Sequence, residues 1–139
     1  MATGSQLPEA YRQAVYEVEV PGRRALQFHV ERRNPRLDEL LREVGAERAA
    51  FITAYNPGSV PLCEHENRAA HENLLNELTL GKFRFLPGRG LDPNEEWPPE
   101  PSFLILDMSK ENASALARAY GQNAFVFVQN GETAELVFV

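Results

Sequence analysis

A chain of 139 residues is the size of one ordinary domain, and 43% hydrophobic residues with 8 Phe, 4 Tyr and 1 Trp supply enough apolar surface for a packed core, which excludes a disordered chain. A formal charge of −6 argues against the clustered Lys and Arg that non-specific DNA binding requires. The lone Cys63 excludes an internal disulfide. The start of the chain lacks a basic, then apolar leader, and no apolar run approaches the ~20 residues of a membrane span, so a cytoplasmic protein without membrane attachment is expected.

In chain order, residues 1–7 read as a flexible tail ahead of a single α+β domain over 8–139, which opens with a short helix from Pro8 to Ala14. Tyr16, Val18 and Val20 alternate with Glu17 and Glu19, and Pro21-Gly22 turns the chain into Leu26-Gln27-Phe28-His29-Val30, which alternates again. This pattern predicts a half-buried hairpin. Asn34-Pro35 supplies a helix cap and a first-turn proline; Leu37, Leu40, Leu41 and Val44 form one apolar stripe before Gly45. Ala49 to Tyr55 has almost no polar alternation and predicts a central strand covered on both faces. A long helix follows from about Cys63 to Leu80, with Ala70, Leu74, Leu75 and Leu78 on its core stripe. Extending that stripe backwards places Asn67 and His71 at its N-terminal end.

Phe83 to Leu86 reads as a short strand. Pro87 to Pro101 shows no periodicity and reads as one long loop, a length that in a compact domain usually signals function. Phe103 to Leu106 is a buried strand, and Ser109 caps a helix whose inward residues are Ala113, Leu116, Ala117 and Tyr120. Residues 123–139 read as a hairpin around Asn130-Gly131, with a type I′ turn.

Helices that join strands of one sheet make them run the same way, so directions can be followed from strand to strand. The expected architecture is a mixed β-sheet with a central parallel pair, antiparallel hairpins at both ends of the chain and about four helices. It brings Tyr55-Asn56-Pro57, Gly88-Arg89-Gly90, Trp97 to Ser102 and Gly121-Gln122-Asn123 to one end of the sheet, beside Asn67 and His71. In that setting Arg89 between two glycines can take an anion, and Trp97 can stack on a flat ring. Gln122 and Asn123 can read donor and acceptor edges. Glu100, then His71, are the candidate catalytic acids or bases. Tyr55, Asn56, Asn67, Arg89, Trp97, Gln122 and Asn123 are the candidate ligand-binding residues.

Each has a plainer explanation. Asn56-Pro57-Gly58 is ordinary turn chemistry, Arg89 can pair with Glu100, Trp97 can plug the loop, and Gln122 can satisfy helix-end carbonyls. Asn67 and His71 can simply stitch the core. Only their convergence favours function. No metal is expected, because the spacing of His65 and His71 puts them on different helical faces, and nothing local marks Cys63 as a thiolate. No P-loop, dinucleotide fingerprint or nucleophile elbow occurs, and the identity of any cofactor is left open.

Through Phe51-Ile52-Thr53-Ala54-Tyr55-Asn56-Pro57, Glu66-Asn67, Trp97-Pro98-Pro99-Glu100-Pro101-Ser102-Phe103 and Gly121-Gln122-Asn123-Ala124, the chain resembles a bacterial family known as domain-of-unknown-function family 3293. The resemblance implies a small bacterial cytosolic protein and carries no catalytic role. Two functions are therefore expected as rivals. One is a domain that binds, with or without transforming, a small anionic or nucleobase-like ligand at the converging end. The other is a protein-interaction or regulatory module whose polar motifs are structural. Oligomeric state is left open.

Overall fold

The computed structural model describes residues 7–139, so the expected tail lies outside the described residues except for Leu7, which already belongs to the first helix. In chain order the elements are α1 (Leu7–Gln13), β1 (Val15–Val18), β2 (Leu26–Phe28), α2 (Pro35–Glu43), β3 (Arg48–Thr53) and α3 (Glu64–Leu80). They continue with β4 (Phe85–Leu91), β5 (Glu100–Leu106), α4 (Lys110–Ala119), β6 (Ala124–Gln129) and β7 (Glu135–Phe138). The local signals act as expected. The Asn34 side chain accepts the Leu37 N–H at 3.1 Å to start α2, and the Ser109 hydroxyl accepts the Asn112 N–H at 3.1 Å to start α4.

The seven strands form one sheet in the order β2-β1-β4-β5-β3-β6-β7, and every neighbouring pair is antiparallel. This corrects the central parallel pair. β3 and β4 do run the same way across α3, as do β5 and β6 across α4, but β5 lies between the first two and β3 between the second two. A crossover helix sets direction and leaves adjacency open, and here two split βαβ units interleave. Class and helix number stand: the chain is α+β, with four α-helices among the described residues.

β3 is covered on both faces. Ala49 and Phe51 join a core with α2 and the β1–β2 hairpin, while Ala50 and Ile52 join a second core under α3 and α4. Two boundaries also need correction. The expected loop from Pro87 is strand as far as Leu91, and β5 begins at Glu100, so only residues 92–99 are irregular. Pro87 is tolerated inside β4 because its position faces Glu19, beyond the end of β1, and its carbonyl still accepts the Glu19 N–H at 2.8 Å. In the terminal hairpin only Gly131 takes a positive φ (83°) and Asn130 does not, which suits a type II rather than a type I′ turn.

Candidate functional site

The end of the sheet where β3 and β4 finish and β5 and β6 begin is built around a tight turn after β3. Asn56 (φ 49°) and Ser59 (φ 61°) occupy the left-handed region on either side of Gly58 (φ 66°), which adopts it freely, and such strain at two residues with side chains persists only where neighbours hold it. The segment between α4 and β6 does the holding. The Gly58 N–H donates to the Gly121 carbonyl at 2.7 Å, Asn123 Nδ2 donates to Ser59 Oγ at 2.9 Å, and Gln122 Nε2 donates to the Tyr55 carbonyl at 3.1 Å. A side chain on Gly121 would bring its Cβ to 2.9 Å from Pro57 Cβ, so glycine is what lets the two segments meet.

From the other side α3 clamps the same turn. Asn67, 4% exposed, accepts the Asn56 N–H on Oδ1 at 2.8 Å and donates through Nδ2 to Asn56 Oδ1, also at 2.8 Å. Asn56, 7% exposed, receives a further donor on Oδ1 from the Leu62 N–H at 3.0 Å. Its remaining arm, Nδ2, donates to Glu100 Oε2 at 2.7 Å. Two hydrogen bonds thus join Asn67 to the Tyr55-Asn56 turn beside which its helical spacing placed it, and they fix a buried amide that holds the first carboxylate of β5.

Glu100 borders a partly open cavity of about 80 Å³. Antiparallel pairing explains who else is there: Tyr16, Gly90 and Glu100 lie opposite one another across β1, β4 and β5, as do Thr53 and Ser102 across β3 and β5, so their side chains share one face. Phe51, Val126 and Leu136 form its floor, Trp97 and Gln122 stand beside it, and Ala10, Tyr11 and Ala14 come from α1 and its end. Small residues make the space, since Gly90 and Ala124 sit where bulkier side chains would fill it. Among the described residues no Lys, Arg or His lines it. Burial pushes the Glu100 carboxyl above the usual carboxylate range against the lowering effect of the Asn56 hydrogen bond. Burial likewise raises Tyr11, whose hydroxyl is reached by Ser59 and Asn123, and raises Tyr16.

The structure therefore brings Tyr55, Asn56, Trp97, Glu100 and Gln122 to the cavity wall, with Asn67 and Asn123 just behind it. Arg89 does not join them. Strand alternation turns Gly88 and Gly90 toward the cavity face and Arg89 away, where its Nε pairs with Glu17 at 2.9 Å opposite it on β1. The flanking glycines belong to the strand rather than to an anion-binding loop: a Cβ on Gly88 would meet the Glu17 carbonyl and come within 2.9 Å of the Phe51 ring, so Gly88 serves close packing, whereas Gly90 opens the cavity. His71 also lies elsewhere. It is half-buried on the opposite face, stacked on Phe103 (ring centroids 4.5 Å apart) and edge-on to Tyr55 (5.9 Å), and burial lowers its pKa. Its Nδ1 is buried without a hydrogen-bond partner among the described residues.

Sequence reasoning missed Tyr11 and Tyr16 as wall residues. The signal for Tyr16 was its place on the inward side of the first alternating strand; α1 offered none. No cluster of His, Cys, Asp and Glu suited to a metal exists among the described residues, and no helix there is long and apolar enough to cross a membrane.

Comparison with curated proteins and with solved structures returns no match. A family model does match, over residues 52–125, a span that begins in β3 and takes in the Asn56 turn, Asn67, Trp97, Glu100 and Gly121-Gln122-Asn123 before ending in β6. That span is more than half of the chain and contains the polar framework of the site, and the chain belongs to the family described as Protein of unknown function (DUF3293).

Proposed function

We propose that this protein binds a small planar, nucleobase-like ligand in the cavity between α1 and the sheet. The observation that carries the reading is Glu100: a carboxyl group set in a wall of Tyr11, Tyr16, Phe51 and Trp97, and presented there by an amide that Asn67 and the Leu62 N–H hold immobile. A core needs no such group, because burying a carboxyl among rings costs free energy that an apolar side chain would not. Apolar walls with few fixed polar groups are the usual design of a small-molecule site. Among the described residues the wall offers no cationic side chain to an anion, which favours the nucleobase-like ligand over the anionic one. Among the described residues the large exposed apolar side chains are few and fall at three places along the chain (Val60, Leu80 with Phe83, Phe138 with Val139), which supports ligand binding over the interaction module.

Thermal unfolding in the presence of free nucleobases, related small heterocycles and phosphorylated metabolites tests the reading. A ligand at ~100 times its dissociation constant adds about 2.7 kcal/mol to stability, so a binder raises Tm clearly. Stabilisation by heterocycles and none by phosphorylated metabolites is the expected result. No shift from any heterocycle would move the assignment to the interaction module.

A further inference from the structure

The hydrogen-bond orientations around the cavity define the head group that the ligand must carry. Asn56 cannot be flipped, because its Oδ1 receives the Leu62 backbone N–H at 3.0 Å and a backbone N–H can only donate. Its NH₂ therefore points to Glu100, and Oε2 of that carboxyl is held as an acceptor at 2.7 Å, so that among the described residues Oε1 is left to meet a ligand. Gln122 is fixed by the same logic. Its Nε2 lies 3.1 Å from the Tyr55 carbonyl and 3.3 Å from the Tyr120 carbonyl, contacts that only an NH₂ can satisfy, so the side chain's remaining capacity is the acceptor Oε1.

Three of the hydroxyl protons on the wall are turned elsewhere, while the Tyr11 and Ser59 hydroxyls lie together near Asn123. Thr53 Oγ1 donates to the Pro101 carbonyl at 2.8 Å, Ser102 Oγ to the Glu100 carbonyl at 2.9 Å, and the Tyr16 hydroxyl to the Tyr11 carbonyl at 2.9 Å. Glu100 and Gln122 therefore present acceptors to the cavity. Aromatic rings, Trp97 among them, line it and suit a cation, and the chain as a whole carries −6.

Resting on the ring-binding reading above, we infer that the cavity selects a donor-rich cationic head group: an amidinium, a guanidinium or a protonated amino-heterocycle. Glu100 Oε1 receives it, and the Gln122 side-chain oxygen is the second acceptor. A planar cation with two N–H groups offers a donor to each oxygen, whereas a carboxylate or phosphate on the same ring would face these two acceptors.

Three probes with the same ring separate the possibilities: benzamidine (cationic), benzamide (neutral) and benzoate (anionic), each titrated into the wild-type protein by calorimetry. Benzamidine binds at least ~10-fold more tightly than benzamide, as expected for a hydrogen bond to a charged partner, and benzoate does not bind measurably. In Glu100→Gln, where Asn56 keeps an acceptor, benzamidine loses that advantage and benzamide changes little. The wild-type comparison needs no variant, so it stands if Glu100→Gln folds poorly. Equal binding of benzamidine and benzamide, or preference for benzoate, overturns this inference and leaves ring binding intact. Binding of none of the three overturns it as well, and the heterocycle panel then decides separately whether the cavity takes a ring at all.

Discussion

The two faces of the sheet treat the same strand ends differently. Toward α3 and α4 the end is filled: Phe103 lies between the His71 and Phe85 rings, and Phe125 and Ile52 close the layer. Toward α1 the same strands offer Gly90, Ala124 and Ser102, and the space they leave holds a carboxyl group rather than a methyl group. One face is built for packing density. The other forgoes some packing to keep an opening, and invests a network of buried amides in aiming one side chain at it. That contrast is what separates a site from a core defect, since a defect has no reason to be lined by oriented polar atoms.

The glycines of β4 test the contrast most severely, because they lie two positions apart on one face. Gly88→Ala places a methyl group against the Glu17 carbonyl and the Phe51 ring at 2.9 Å, and backbone cannot yield as a flexible side chain can. A loss of roughly 1–3 kcal/mol or more in denaturant unfolding is expected. Gly90→Ala meets only Trp97, at 4.0 Å, with no positive φ to strain, so its stability should stay level or rise by about 0.4–1 kcal/mol. Equal costs for the two would mean that the opening at Gly90 is not real.

Asn67→Leu comes next. It removes the partner of the Asn56 N–H and one donor to Asn56 Oδ1 inside a buried region, at about 1–3 kcal/mol for each group left unsatisfied. Ligand binding should weaken too, although Asn67 is not on the cavity wall, because Asn56 loses the contact that aims it at Glu100. A variant of unchanged stability would show that the amide network is decorative.

Much of this network was legible in the sequence. Helical spacing put Asn67 beside the Tyr55-Asn56 turn, and tracing strand directions through the helices brought Trp97, Glu100 and Gln122 to the same end. Adjacency was not legible, because a helical crossover is compatible with neighbouring strands or with a third strand between them. Arg89 misled for a related reason. Its strand presents Gly88 and Gly90 inward under rings supplied by Phe51 and Trp97, so no hydrophobic alternation marks it as a strand at all. The wall from Tyr11 was invisible because α1 is placed by tertiary contacts, among them the Tyr16 hydroxyl on the Tyr11 carbonyl.

The smallest expected effect concerns pH. Burial raises the Glu100 carboxyl pKa in the folded protein. Between the ordinary glutamate value and the raised one, the folded state holds a proton that the unfolded state has released, so stability falls as pH rises through that window and is level above it. Glu100→Gln should therefore be at least as stable as wild type at neutral pH. Its advantage should vanish below about pH 4, where glutamate is neutral in both states. Denaturant unfolding at the two pH values checks this, and a variant less stable at neutral pH than at low pH relative to wild type would contradict it.

The central claim is that this cavity, and no other surface, takes the ligand. Trp97 is the chain's single tryptophan and lies on the cavity wall, so its fluorescence reports occupancy directly. Titration with whichever heterocycle raises Tm should change Trp97 emission saturably, with a dissociation constant that matches the thermal stabilisation. A ligand that stabilises the protein while leaving Trp97 emission unchanged would bind elsewhere and contradict the account.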